Sequence, residues 1–284
     1  MAIRQPPSDP TPEPGVRDIL LDGHVHFHGC FDREAFFDSA IANLQAGAAA
    51  AAIPETAARC LLLTEGADEH FFETLCADRG SSANGAWTVS STDEGGSLLA
   101  SRGGTDSLIL IAGRQIVTRE GLEVLAIGSR TQSPRGLSVR DAIESTLAQQ
   151  AIPVLPWGFG KWWFGRGRLL DALLRSTETP RLFLGDNSGR PQYAPAPRLF
   201  AVARERGFFV LPGSDPLPLP GQVRTVGRFG FLLRGALDAA RPAESVKRLL
   251  TELARQPRTF GRREGLAGFA RSQAGMQLRK WTTA

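Results

Sequence analysis

The stretch Ile19-Leu20-Leu21-Asp22-Gly23-His24-Val25-His26-Phe27-His28 constrains the fold more than any other segment of the chain. Its apolar run, Ile19 to Leu21, reads as a buried strand that breaks at Asp22-Gly23 and then delivers three histidines at alternate positions. Side chains on an extended backbone alternate between faces with period two. His24 and His26 therefore aim at one point, and His28 joins them if the extension continues. Two neutral imidazoles converging at the end of a buried strand make half of a metal site. The chain has only 4 histidines, so a cluster this dense reads as ligands, although each ring alone would read as a hydrogen-bonded loop residue.

The pattern of an apolar strand stopping at a polar turn recurs. Arg59 to Gly66 is a second strand, with Glu65 at its end, where α/β folds place site residues. Ile152 to Pro156, Arg181 to Leu184 and Phe208 to Leu211 follow the same rule, and the last runs into Pro212-Gly213-Ser214-Asp215. Helical patterns separate these strands: Asp32 to Ala52, Ala67 to Ala77 (which carries His70), Ser138 to Gln150, Gly167 to Ser176 and Pro197 to Arg206. Two further helices are predicted at Leu232 to Ala240 and Ala243 to Gln256. Trp87 to Gly128 reads instead as short strands and glycine-rich turns, including the strong run Ser107 to Gly113. It holds no Gly-x-x-x-x-Gly-Lys pattern, so no phosphate loop is predicted.

Strands separated by helices imply parallel pairing through right-handed crossovers. The expectation is one α/β domain over 17–260, barrel-like, with a β-hairpin excursion near its middle. Residues 1–16 read as a proline-rich disordered lead-in without the apolar core of a secretory signal, Gly80 to Asn84 as a loop, and 261–284 as a basic helical tail.

Composition narrows the function classes. A 42% hydrophobic and 22% charged chain is ordinary for a globular protein, and nothing approaches a run of about 18 apolar residues, so no transmembrane segment is expected. Cys30, Cys60 and Cys76 are too few, and odd in number, for a disulfide scaffold, which points to a reducing cytoplasm. The net charge of +4 is unevenly spread: from Arg224 onward there are 13 Lys/Arg against 4 Asp/Glu. That excess attracts nucleic acid, an acidic membrane surface or a phosphorylated substrate, or it is the solvated face of terminal helices. No stacked aromatic platform is interleaved with it.

With His24-x-His26, Thr64-Glu65 and Gly213-Ser214-Asp215 in place, residues 18–230 resemble the PHP (polymerase and histidinol phosphatase) superfamily. The resemblance implies a distorted (β/α)7 TIM-like barrel and metal-dependent hydrolysis of phosphoesters. Leu62-Leu63-Thr64-Glu65 stands where that family has Thr-Asp-His, and Ala112-Gly113-Arg114-Gln115-Ile116 where a metal-bridging glutamate follows a glycine. Val154-Leu155-Pro156-Trp157 takes the place of a strand ending in His-Pro. Leu211-Pro212-Gly213-Ser214-Asp215-Pro216 resembles Gly-Ser-Asp-Ala-His with the aspartate kept and the histidine absent. Gln115 is a poorer ligand than the glutamate, and no histidine follows His70, so a complete trinuclear site is not available.

The reduced set implied by the resemblance holds one or two divalent ions (Zn, Mn or Fe) through His24, His26, Asp215 and a carboxylate such as Glu65. Glu123, Glu120 and His70 are further candidates. Asp215 and Glu65 are candidate proton acceptors; Asp215 also suits an Asx-turn. Lys161, set between a glycine and two tryptophans, either neutralises an anionic substrate or bridges metals, as a strand-end lysine does in the related amidohydrolases. Arg190, Arg224 and Arg228 are candidates for clamping a small phosphorylated substrate. Cys30 reads as a soft ligand or a plain thiol, and Asp186-Asn187 as a turn. Beside the phosphoesterase reading stand an amidohydrolase-like enzyme using Lys161, and a degenerate barrel serving as a binding or assembly subunit.

Overall fold

The structure is a computed structural model that describes residues 15–78, 87–104 and 106–283. All but the last two residues of the predicted lead-in, and the whole of the Gly80 to Asn84 loop, lie outside the described residues. β1 (Val16–Val25) leads into α1 (Arg33–Ala50), β2 (Ala58–Leu63) and α2 (Phe71–Ala77). Five strands follow: β3 (Thr88–Ser91), β4 (Ser97–Arg102), β5 (Asp106–Ile111), β6 (Gly113–Val117) and β7 (Glu123–Ile127). Alternation then resumes with α3 (Val139–Ala148), β8 (Ile152–Pro156), α4 (Phe164–Arg175), β9 (Phe183–Asn187), α5 (Arg198–Glu205) and β10 (Phe209–Gly213). A 3-10 turn (Pro220–Thr225), β11 (Phe229–Ala236), α6 (Pro242–Thr251), β12 (Arg258–Gly261) and α7 (Leu266–Thr283) complete the chain.

The strands form two mixed sheets, one of seven strands in the order β12-β11-β1-β2-β5-β4-β3 and one of five in the order β10-β9-β8-β7-β6. Period two assigns their side chains. Ile19 and Leu21 of β1 and Cys60 and Leu62 of β2 point between the sheets, where they meet Leu125, Val154, Phe183 and Leu211. Leu20, Leu61 and Leu63 point the other way and pack under α1 against Phe36, Phe37 and Leu44. The outer face of the smaller sheet is covered by Ile143 of α3, Leu170 of α4 and Leu199 of α5. Each fully buried Leu or Phe contributes about 1.5–3 kcal/mol, so these three apolar layers hold the strand ends in register.

The expected closed (β/α)7 TIM-like barrel is not what forms; the chain is an open α/β sandwich. Parallel pairing is confined to β1-β2-β5 and β8-β9-β10, while β11 runs antiparallel to β1 and β7 antiparallel to both β6 and β8. The sheets touch at two seams, and among the described residues no ladder closes either. At one, β1 abuts β10; at the other, a single parallel bridge joins Glu65 to Arg114. A second correction concerns the helix predicted at Leu232 to Ala240, because Phe229–Ala236 is strand β11. Its inner register carries Phe231 and Leu233 into the core between the sheets, and Arg234 stands exposed between Leu233 and Gly235. Pairing beside β1 overrides the local helical pattern. Among the described residues no helix is long and apolar enough to cross a membrane.

Candidate metal centre

The site is built where β1 stops. Asp22, fully buried, accepts hydrogen bonds from the N–H of His24 (3.3 Å), Ser214 (2.7 Å) and Gly227 (2.8 Å), tying β1 to β10 and to the turn before β11. Gly23 and Gly213 let the two backbones meet. A Cβ at 23 would lie 2.6 Å from the Pro212 carbonyl oxygen, and one at 213 would lie 2.3 Å from His24 N. The His24 carbonyl then accepts the Asp215 N–H at 2.8 Å. Asp215 itself sits at φ 47°, a left-handed conformation uncommon outside glycine. The residues that read as strand breakers are therefore the ones that bring position 215 to position 24.

Three donors converge there. His24 Nε2 lies 3.0 Å from His26 Nε2 and 3.5 Å from Asp215 Oδ1, and ligand atoms of His24, His26 and Asp215 all fall within 4.8 Å of one another. A second group joins His26, His28 and Glu69: Glu69 Oε2 is 2.9 Å from His26 Nδ1, and its Oε1 is 2.7 Å from His28 Nδ1. The Gly66 N–H donates to Glu69 Oε2 at 2.8 Å and fixes the carboxylate. With an acceptor at Nδ1, the neutral form of the His26 ring carries its proton on that nitrogen and presents Nε2 toward His24. His28 differs, because its Nε2 faces the Pro216 carbonyl oxygen at 2.8 Å and both its nitrogens meet acceptors.

Electrostatics follow the same lines. Burial lowers the pKa of His24 and so favours the neutral, ligating ring. Burial also acts to lower His26, but the Glu69 carboxylate outweighs it and raises the ring above its ordinary value. Burial opposes the charge on Glu69, yet the hydrogen bonds from His26 and His28 hold that carboxyl well below the usual range. At Asp215, too, burial is outweighed by His24, His26 and Lys161, and the pKa is lowered.

Around the cluster lies a cleft of about 480 Å3, lined by His26, Glu69, Gln115, Glu123, Lys161 and Asp215 among others. Lys161 is ion-paired with Glu123, which also accepts from Gln115 Nε2 at 3.4 Å. Asn187 donates through Nδ2 to Asp215 Oδ2 and to the Trp157 carbonyl oxygen, both at 2.8 Å.

Other predicted residues stand apart from the cluster. Glu65 is buried in the second seam, accepting from the Phe72 N–H at 2.6 Å and from Arg114 Nη1 at 3.2 Å. Burial pushes its carboxyl up despite these partners. His70 is exposed at the start of α2. Glu120 accepts the first α3 N–H, from Val139, at 3.1 Å. Arg190 is buried in a two-bond pair with Asp186, at 2.7 and 2.6 Å. Arg228 lies 3.6 Å from Glu264, Arg224 is exposed on the 3-10 turn, and Cys30 is exposed. Glu69, lying between the candidates Glu65 and His70, is the carboxylate that reaches His26 and His28. The spacing gives no hint of it, since the loop after β2 carries no periodicity.

No family model matches the sequence, and no curated protein matches it. Among solved structures, the fold is similar to that of PsfC from Pseudomonas syringae PB-5123, at 15% identity and a TM-score of 0.52, over 94% of this chain and 100% of that one. A second similarity is to the lesion-specific endonuclease PfuEndoQ from Pyrococcus furiosus, at 12% identity and a TM-score of 0.49, over 84% of this chain and 57% of that one. The likeness to PsfC is one of fold.

Proposed function

We propose that the chain is a metal-dependent hydrolase of phosphoesters whose divalent ion is held by His24, His26 and Asp215. The observation that carries this reading is the convergence of two imidazole nitrogens and a carboxylate, from positions far apart in sequence, within 4.8 Å of one another. The donor set fits an ion in two further ways. His26 has the backing carboxylate, Glu69, that metal-bound imidazoles commonly have, and burial favours the neutral form of His24. Two nitrogens and one oxygen suit Zn, Mn or Fe. When bound, such an ion supplies a Lewis acid for a phosphoryl oxygen and a water acidified to about pKa 7.

The chain's own residues do the remaining work. Asn187 holds Asp215 by its second oxygen, so the carboxylate keeps one face toward the histidines. Lys161, positioned by Glu123 in the same cleft, supplies positive charge for an anionic substrate. Glu65 is committed to Arg114 and steadies the second seam. The phosphoester class rests on the resemblance of His24-x-His26 and Gly213-Ser214-Asp215 to PHP motifs.

Elemental analysis of protein purified without chelators tests the reading, with about one equivalent of transition metal expected and less than about a tenth in a His24→Ala, His26→Ala variant. Phosphate release from a panel of mono- and diesters supplies the second arm. Metal-free protein inert across the panel would leave a binding or assembly role. Metal-replete protein that cleaves only amides would favour the amidohydrolase reading.

A further inference from the structure

The C-terminal helix belongs to the site. Ser272, Gln273, Met276 and Gln277 of α7 line a cavity of about 230 Å3 that also reaches Lys161 and Asp215. Met276 lines the neighbouring cleft with His26 and Glu69 as well. Positions 272, 273, 276 and 277 share one face of a helix with 3.6 residues per turn, so this face is the one presented to the site. Several contacts fix it there. The Phe269 ring meets that of Phe159 at 5.3 Å between centroids, and Ser272 Oγ lies 2.9 Å from Gln222 Nε2 and 3.3 Å from Glu264 Oε2. Gly275 passes so near Leu219 that a Cβ would stand 2.8 Å from its Cδ1. The basic Arg271 and Arg279 are exposed and line neither cavity.

The chemistry of this wall selects a ligand class. The Gln273 and Gln277 amides of α7 offer donors and acceptors, Ser272, Gln222 and the buried Glu264 being engaged with one another, and Lys161 brings positive charge on the Asp215 side. Asn187 adds an acceptor, because both its N–H groups are taken by Trp157 and Asp215 while its Oδ1 has no partner among the described residues. Such groups match uncharged hydroxyls, which both donate and accept. The rings of Trp157, Phe159 and Phe269 supply apolar surface for the carbon skeleton between them. The volume lies below the ~300–1,000 Å3 of pockets for drug-sized ligands, so the occupant is small.

We infer that this cavity is the leaving-group pocket and selects the phosphate ester of a small polyhydroxylated alcohol, whose hydroxyls Gln273 and Gln277 read. The inference rests on the hydrolase reading above. Hydrolysis would form a P–O bond from water, break the ester P–O bond and pass a proton to the departing alkoxide, giving inorganic phosphate and the free polyol.

Calorimetric titration of the full-length, metal-supplemented protein with non-hydrolysable phosphonates tests it: a ribose phosphonate, benzylphosphonate and a short single-stranded oligonucleotide. The sugar phosphonate is expected to bind about 10-fold or more tightly than benzylphosphonate, and a Gln273→Leu, Gln277→Leu variant to lose that margin at roughly 10-fold per hydrogen bond. Metal content should stay unchanged in the variant. A preference for the benzyl compound, a margin that survives the double substitution, or tighter binding of the oligonucleotide would overturn the inference. Metal-replete protein without discrimination sinks this inference alone. Protein that takes up no metal yet still discriminates supports the pocket and removes the hydrolase reading; failure of both measurements removes both.

Discussion

At the scale of single residues, two carboxylates that touch no substrate decide how the site stands. Glu69 holds His26 by its far nitrogen, so a Glu69→Gln variant should keep the fold and lose about 10- to 100-fold in metal affinity, measured by competition with a chromogenic chelator. A neutral amide there presents an N–H or a weaker acceptor and no longer specifies the ring's tautomer. Asp22 acts differently. Its carboxylate meets three backbone N–H groups from three segments, so Asp22→Ala leaves several buried donors unpaired at ~1–3 kcal/mol each. A loss of at least about 3 kcal/mol in urea-unfolding stability is expected, and a loss under about 1 kcal/mol would contradict this account.

At the scale of elements, close backbone approach and capping set the outcome. Gly213→Ala forces a Cβ against the His24 backbone, and an overpacked seam of this kind should cost ~1–3 kcal/mol and weaken metal binding together. Unchanged metal affinity in that variant would show that the β1–β10 contact does not position the ligands. In α3, Ser138 and Asp141 form a reciprocal capping box, and Asp141 is held below the ordinary aspartate range chiefly by hydrogen bonds from Ser138. A lowered folded-state pKa means that the carboxylate's contribution is present above about pH 4 and fades as pH falls through the folded value. Protection of the first-turn amides of α3, measured against their intrinsic exchange rates, should therefore fall on acidification to about pH 3, and an Asp141→Asn variant should lack that fall.

At the scale of the whole molecule, the proposed ion would bridge elements from both sheets, because His24 lies at the end of β1 and His26 just beyond it, while Asp215 follows β10. A ligand bound only by the folded state stabilises it by about 2.7 kcal/mol at a concentration 100 times Kd. For a chain of this size that raises Tm by roughly 4 to 6 °C. The shift should appear on adding Zn or Mn, reverse with chelator, and vanish in the His24→Ala, His26→Ala protein; equal shifts in both proteins would place the ion elsewhere.

Local periodicity made much of this legible. The helix predicted at Ser138 to Gln150 and the strand at Ile152 to Pro156 appear within a residue or two of their expected limits, because apolar spacing and capping residues act over a few positions. The alternate placement of His24 and His26 was likewise visible, since a strand repeats every two residues. The sheet arrangement was not. Whether alternating strands and helices close into a barrel or lie as two sheets depends on long-range pairing, and Leu232 to Ala236 became strand only because β1 offered an open edge. Nor did anything near Glu69 or Gln273 mark them out in the chain. The sequence by itself determined most of the extended segments, Leu232 to Ala236 excepted, and the alternate spacing of one pair of imidazoles. Tertiary structure alone decided which carboxylate meets them and which helix covers the cleft, because those contacts join residues more than 40 positions apart.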